Sequence, residues 1–438
     1  MNRSSDTPSR REFLAFATAA TVACGARAKG AVAANDRLRL ASIGVGGMGA
    51  SDLASLTQHK GVEVVALCDV DANHLAAAAE KFPNAQRFAD YRELFERASD
   101  SFDAVNVATP DHSHAPATML ALQLNKHVYC QKPLTHSVYE ARRLREVASE
   151  RGVVTQMGTQ VHSTSPYRTA VRLVQSGVIG KVRGVHSWSD KSWGYEGPVP
   201  TPSAPPPELQ WDLWLSTAPE RPYSAGHYHP ADWRRWRDFG CGTMGDMAIH
   251  ILDPVFSALK LGAPTKIVAS GSPPPAESFG LQNRVRFEFP ATDYTSEAFE
   301  LHWYDGGLRP DTAQWPKQAL PDQGSMFIGE DGWLLLPHVA MPELLPADRF
   351  AGHAVEPAPD GDHYGLWVDA CLGGAPTTAG FDYAGPLTEA VLLGVLANQF
   401  PGEELVWRPK AMAISNHSKA SALLRRDYRD GWKIPGLS

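Results

Sequence analysis

The 438-residue chain is long enough for two or three ordinary domains, and its 43% hydrophobic content is that of a globular protein with a large core. Five basic and two acidic residues give the first 34 positions a charge of +3, so the net charge of −7 leaves −10 on the remainder. A body of that sign with no basic patch argues against a nucleic-acid partner, and past the N-terminus no apolar run approaches the roughly 20 residues of a membrane span. Cys68, Cys130, Cys241 and Cys371 are far apart and form no Cys-x-x-Cys pair. That spacing provides neither a zinc site nor a disulfide framework, and the four are expected to be buried free thiols.

The chain opens with the parts of an export signal. Arg10-Arg11 lie in Ser-Arg-Arg-Glu-Phe-Leu, an apolar Ala-rich segment runs from Phe13 to Ala23, and Ala31-Val32-Ala33 provides small residues for cleavage. The pattern resembles a twin-arginine signal, which implies a signal peptide over 1–34 and a periplasmic protein exported already folded. A lipoprotein signal ending at Cys24 is the weaker alternative, because Thr21 stands where such motifs usually place Leu.

From Leu38 strand and helix alternate. LRLASIGV, VEVVALCD, FDAVNVAT, KHVYCQ and VVTQMG read as strands, with MGASDLASLTQH and NHLAAAAEKF as the first two helices. This alternation predicts an α/β domain with a parallel, doubly wound sheet over 35–158. Gly44-Val45-Gly46-Gly47-Met48-Gly49 falls where the first strand becomes the first helix, and Asp69 follows at the end of the second strand. This is the context a dinucleotide fingerprint requires. Gly44 permits the tight turn, Gly46 lets backbone approach a pyrophosphate, Gly49 permits close helix–strand packing, and the helix N-terminus faces the phosphates. A carboxylate at Asp69 accepts hydrogen bonds from both ribose hydroxyls and repels a 2′-phosphate. Val70-Asp71-Ala72-Asn73 offer no Arg or Lys to hold that phosphate, so NAD is expected rather than NADP.

Lys132-Pro133 sits at the C-terminal end of a later strand, where open α/β sheets bind ligands. Much further on, FGCGTMGDMAIHILD carries Asp246 and His250 four residues apart, on one helix face. With these motifs the chain resembles the Gfo/Idh/MocA group of oxidoreductases. The resemblance rests on the glycine-rich loop, on Ala108-Thr109-Pro110 followed by His112 and His114, on Lys132-Pro133, on YRTAVRLVQSGVIGKV, and on Asp246-x-x-x-His250-x-x-Asp253. It implies an N-terminal Rossmann domain and a C-terminal α/β domain over 159–438 built on a large open mixed sheet, with a sugar or cyclitol bound against the nicotinamide. It also implies catalytic roles for Lys132, Asp246 and His250, and cofactor contacts from Gly44, Gly46, Gly47, Met48, Gly49, Asp69, Thr109, Pro110, His112, His114, Gln131 and Lys132. The chemistry is coherent. A neutral His can take the hydroxyl proton, a Lys can hold the developing alkoxide, and Asp246 can orient the imidazole or the substrate. The family's usual Glu-Lys-Pro is Gln131-Lys132-Pro133 here, so the charge at position 131 is lost. Asp253 close to Asp246 and His250 raises the idea of a metal, but no third ligand is evident and no metal is expected.

All twelve tryptophans follow residue 187, several of them in WDLWLSTAPERPYSAGHYHPADWRRWRDFG, next to the Pro-rich GPVPTPSAPPPELQ. This reads as an irregular insertion whose rings mostly staple it to the core. Tyr228, His229, Trp233 and Arg237, together with His162 and Tyr167, are the expected substrate contacts. FDYAGPLTEAVLLGVLANQF reads as a helix packed on the nucleotide domain, with Gly394 in its interior, and SMFIGEDGWLLLP as a pair of strands around Gly329 to Gly332.

An exported enzyme that loses its nicotinamide cannot replace it. The expected function is therefore NAD(H)-dependent oxidoreduction of a sugar or glycoside with a tightly bound, internally recycled cofactor, in a homo-oligomer. One alternative is NAD-dependent glycoside hydrolysis by oxidation, elimination and re-reduction, with an added acid or base sought among His227, Tyr228 and His229. A catalytically silent sugar-binding protein is a second alternative, opposed by the intact Lys132, Asp246 and His250.

Overall fold

The computed structural model describes residues 37–438, which form one compact unit; Arg10-Arg11, Cys24 and the rest of the signal lie outside the described residues. The first sheet is parallel throughout. It contains β1 (Leu38–Ile43), β2 (Val62–Cys68), β3 (Gln86–Phe88), β4 (Ala104–Val107), β5 (His127–Gln131) and β6 (Thr155–Gly158), in the order β3-β2-β1-β4-β5-β6. Helices α1 (Gly47–Leu56), α2 (Ala72–Lys81), α3 (Tyr91–Ala98), α4 (His114–Gln123) and α5 (Val138–Arg151) connect its strands. Asp71 caps α2 by accepting from the amides of Asn73 and His74, and Ser137 and Glu140 form a capping box on α5. The strand order reverses between β1 and β4, which opens a crevice at their carboxyl ends. The three-residue β3 is too short to show an alternation in the sequence.

After α6 (Ser165–Gln175), β7 (Val182–Ser189) begins a nine-stranded mixed sheet of order β13-β12-β11-β7-β10-β9-β8-β14-β15, in which β13 is Glu343–Leu345, β14 Glu404–Arg408 and β15 Ala413–Ile414. Its strands include β8 (Lys266–Ser270), β9 (Arg284–Phe289), β10 (Thr295–Tyr304), β11 (Gln323–Gly329) and β12 (Trp333–Pro337), and only β7 and β10 pair in parallel. Alternate residues Val285, Phe287, Phe299, Leu301 and Trp303 point to one face and join a single core with the helices laid on it. Between β7 and the Asp246 helix the chain is irregular apart from α7 (Trp211–Leu215) and one short turn of 3₁₀ helix. Leu209, Trp214, Tyr223, Tyr228, Trp233, Trp236 and Phe239 form a separate aromatic core there. All four cysteines of residues 37–438 are buried and free, and no helix among the described residues is long and apolar enough to cross a membrane.

Three helical pieces follow the insertion: a π-helical turn over Met244–Ala248, then α8 (Ile249–Ile251) and α9 (Asp253–Leu259). Beyond the sheet come α10 (His363–Cys371) and α11 (Phe381–Ala397). The latter packs on α5 and β6 of the nucleotide domain, as its sequence implies, and also on β8, β9 and the π-turn. Gly394 allows that approach. A Cβ there would lie 2.3 Å from Met244 Cε and 2.7 Å from the Phe287 ring, and both side chains are buried. Gly394→Val should therefore lower stability by about 2 kcal/mol, as overpacking a full core does. Chemical denaturation measures this, and an unchanged midpoint would mean that Met244 moves aside at no cost.

Candidate active site

At the crevice between β1 and β4 the glycines meet tight geometry. Gly44 has φ +78°, and a Cβ on it would lie 2.5 Å from the Ala108 carbonyl oxygen. A Cβ on Gly49 would fall 2.0 Å from the Gly44 oxygen, so helix and loop touch backbone to backbone. Gly46 caps α1 with no side-chain bond, which leaves the helix amides to a ligand. Asp69 accepts from the Val45 amide at 2.8 Å and the Asp71 amide at 2.9 Å; burial raises its carboxyl above the usual range. A dinucleotide fits this loop: the helix amides face its phosphates, and each Asp69 oxygen retains a lone pair for a ribose hydroxyl. His74, from α2, leans over Gly46 and lies 3.8 Å from Asp69, a contact the sequence reading did not include.

The aromatic insertion rests on both loops that flank this crevice. After β2, the Ala72 amide donates to the Glu208 carbonyl and the Gln210 amide to the Val70 carbonyl, each at 3.0 Å, and His229 Nε2 lies 3.0 Å from Asp71. After β4, the Thr217 hydroxyl donates to the His112 carbonyl, and the His112 ring sits between the carbonyls of Trp214 and Phe239. Among the described residues, the group with metal-ligand spacing is Asp71, His74 and His229, not Asp246, His250 and Asp253.

At the carboxyl end of β5, the strand next to β4, the ion pair of Lys132 and Asp246 joins the two sheets' elements. Lys132 Nζ lies 2.6 Å from Asp246 Oδ1 and 3.1 Å from the Asp246 carbonyl, with both side chains largely buried. Two of the ammonium's three donors are thus used, and the third is left for a ligand. Asp246 has further partners that the sequence reading missed: Trp193 Nε1 donates to Oδ2 at 2.7 Å, and Arg234 Nε lies 3.4 Å from Oδ1. Burial raises the Asp246 carboxyl, but Lys132 and then Arg234 outweigh it and hold it well below the usual carboxylate range. Its oxygens are therefore committed to cations and an indole, and the nearest hydrogen-bonding partner of His250 Nδ1 is the Thr159 hydroxyl at 3.4 Å. Burial first and Lys132 second push His250 well below its ordinary range, so the imidazole is neutral and free to take a proton. Asp246 sits in the π-turn, whose wider winding still leaves it and His250 near one line. Gly245 packs so closely on Cys241 that a Cβ would fall 2.1 Å from the cysteine's own.

Gln131 explains its departure from the family pattern. Its amide donates to both oxygens of Asp52 at 3.0 Å, and Tyr364 donates to the same carboxylate at 2.9 Å. Burial pushes Asp52 up to about 6 despite these donors. The carboxylate lost at position 131 is thus present on its neighbour in α1. Asp111, also unforeseen, is buried within reach of the charges of Arg234 and Lys132 and accepts from the Cys241 amide at 3.1 Å; burial pushes its carboxyl up to about 7.

Other expected contacts fall elsewhere. His112 and His114 are buried, and the nitrogens of His114 lie 2.8 and 2.7 Å from the Pro133 and Thr109 carbonyls, so both rings support backbone and present no surface to a cofactor. Thr109 and Pro110 remain at the crevice edge beside Gly44. Tyr228 and Trp233 lie inside the aromatic core, and Arg237 is spent on the Ser278 carbonyl and on Gln399; the residues of that segment brought to Asp246 are Arg234 and, from further upstream, Trp193. The segment lacks a regular period that would separate Arg234 from Arg235 and Arg237. His162 pairs with Asp253 at 2.9 Å and, with Tyr167, lines a separate cavity of about 1030 Å³ between α6, α9 and the loop before α10. Lys132, Asp246 and His250 do not line that cavity.

Two models of one family match the chain: an oxidoreductase family's NAD-binding Rossmann fold over residues 38–159, and its C-terminal alpha/beta domain over 167–291. Together they span more than half of it. The chain belongs to the Gfo/Idh/MocA oxidoreductase family. Among curated Gfo/Idh/MocA relatives, inositol 2-dehydrogenase of Salmonella typhimurium is 30% identical over 152 residues, which cover 34% of this chain and 45% of the relative. The match thus spans less than half the length of that relative. The WlbA dehydrogenase from Bordetella pertussis, solved with NADH and UDP-GlcNAcA, superposes with a TM-score of 0.61 at 15% identity over 85% of this chain and 99% of that one. For the scyllo-inositol dehydrogenase from Lactobacillus casei the values are 0.55, 17%, 85% and 99%. The fold is shared with both.

The Asp52–Gln131 arrangement makes a prediction. Gln131→Glu would set two buried carboxylates against each other and should destabilise the protein by roughly 3 kcal/mol near neutral pH. The loss should shrink as pH falls, starting above the value of about 6 that Asp52 has beside Gln131, because a second buried carboxylate makes the pair take up a proton more readily and one charge disappears. Asp52→Asn added to Gln131→Glu should restore stability. Thermal denaturation across pH tests both statements, and a penalty that persists in the double variant would refute the charge exchange.

Proposed function

We propose that the protein is an NAD(H)-dependent oxidoreductase that acts on a sugar or glycoside and holds its cofactor through turnover. The observation that carries this reading is the Lys132 ammonium at the end of β5, with one donor unspent, beside a neutral His250. A substrate hydroxyl there donates its proton to His250, while Lys132 binds the oxygen and stabilises its negative charge. NAD, when bound, supplies the hydride acceptor or donor. Trp193 and Arg234, fixed on Asp246, give the cleft an aromatic surface and a guanidinium suited to a polyol. Relatives named inositol 2-dehydrogenase support that substrate class. The insertion's hold on the loops after β2 and β4 supports a cofactor that does not exchange.

A second reading is net glycoside cleavage. What favours it is a second imidazole, His338, whose ring centroid lies 6.2 Å from that of His250, since elimination requires one more acid–base group. Incubation with a panel of sugars and aryl glycosides, without added NAD, separates the two. Reduced nicotinamide that accumulates with one sugar and is discharged by another supports oxidoreduction, whereas aglycone release with no net redox change supports cleavage. Lys132→Ala and His250→Ala should each lower the rate by about 10²-fold or more. Near-normal rates in both would remove the assignment.

The same reading locates the mature protein in the periplasm. It rests on Arg10-Arg11, the apolar segment behind them and the Ala31-Val32-Ala33 site. N-terminal sequencing of native protein should find a start near Ala34 or Asn35, and a cytoplasmic protein that keeps Met1 would refute it.

A further inference from the structure

His338 sits in the turn after β12, and its Nδ1 lies 2.7 Å from the hydroxyl of Tyr167 in α6. Tyr167 is buried, whereas the His338 ring is only partly covered. Among the described residues its Nε2 has no hydrogen-bond partner. The ring is tilted 41° to that of His250. We propose that His338, oriented by Tyr167, is a second acid–base residue of the cleft, which moves a proton at the carbon next to a ketone whose oxygen Lys132 holds. The proposal rests on the reading of the cleft as a sugar-oxidising site and adds to it a separate chemical step.

The surroundings suit that step. Burial, then the charges of Lys191 and Lys132, push His338 down to about 4, so it is neutral and able to accept a proton. Burial and then Asp253 hold the Tyr167 phenol well above its ordinary range, so it keeps its own proton. With Nδ1–H donating to the phenol oxygen, Nε2 presents its lone pair. It takes the proton from the carbon beside the carbonyl, and the C–H electron pair moves onto the oxygen to form an enolate held by Lys132. Return of the proton regenerates the ketone. Where the next carbon bears an ether oxygen, the enolate pair instead forms a carbon–carbon double bond, the carbon–oxygen bond breaks, and the leaving oxygen takes the proton from the imidazolium. Addition of water across that double bond then completes hydrolysis. His250 thus serves the hydroxyl proton and His338 the carbon-bound one, with no group asked to do both.

The test supplies the ketone ready-made. Methyl 3-keto-glucopyranoside and 2-keto-myo-inositol are each incubated with purified protein in D₂O, and deuterium at the carbon beside the ketone is followed by NMR. Exchange above the buffer rate is expected in at least one. His338→Gln and His338→Asn should lower it by about 10²-fold, the usual scale of a general base. Tyr167→Phe should lower the exchange rate constant without weakening ketone affinity, and His250→Gln should lower it far less than either His338 variant. No exchange above buffer in either ketone, or wild-type exchange in a folded His338 variant, overturns the proposal. The oxidoreductase reading fails separately, if the parent alcohols never raise the near-ultraviolet absorbance of reduced nicotinamide.

Discussion

Burying a lysine and an aspartate costs several kcal/mol unless each compensates the other, and the Lys132–Asp246 pair is where this protein meets that cost. The two residues come from different sheets' elements, 114 positions apart. Because the two buried charges compensate each other, the pair holds the end of β5 and the π-turn together. What surrounds the pair follows from it. Trp193 and Arg234 complete the aspartate's shell, burial pushes the nearby Asp111 carboxyl up to about 7, and burial, with the Lys132 charge added to it, keeps His250 and His338 neutral. One ion pair thus orients the Lys132 ammonium at the end of β5, and its charge adds to the burial that keeps the two imidazoles neutral.

A buried carboxylate in this neighbourhood is handled by exchange of place. Asp52 on α1 carries the charge and Gln131 donates to it, with Tyr364 from the C-terminal part of the chain as the third member. Glu at position 131 would repel Asp52, and Asn at position 52 would leave the site without its carboxylate. The Gln at position 131 is therefore matched to the carboxylate of Asp52, a residue no motif marks.

Most of the insertion, Arg234 apart, does different work from that of a sugar platform. Its rings pack on one another, and its backbone grips the loops after β2 and β4, with His229 on Asp71 and the His112 ring between two insertion carbonyls. Opening the crevice at either loop requires breaking these bonds together. The insertion thus ties both loops that flank the crevice to one aromatic body.

The local pattern of the chain determined the first domain: alternating apolar strands and helices, a glycine loop at the one junction where backbone must approach backbone, and an acidic residue twenty positions on. It also marked Lys132, Asp246 and His250, because strand ends, glycine turns and helical spacing are short-range features. Tertiary structure alone decided which side chains join them. Trp193, Arg234, Asp111, Thr159 and His338 reach the cleft from segments with no shared period, while Tyr228, Trp233 and Arg237, equally suited by composition, turn into an aromatic core or toward Gln399. The reason is that burial of rings and pairing of charges are satisfied by whole surfaces brought together over long chain separations, and a sequence window contains only one of those surfaces.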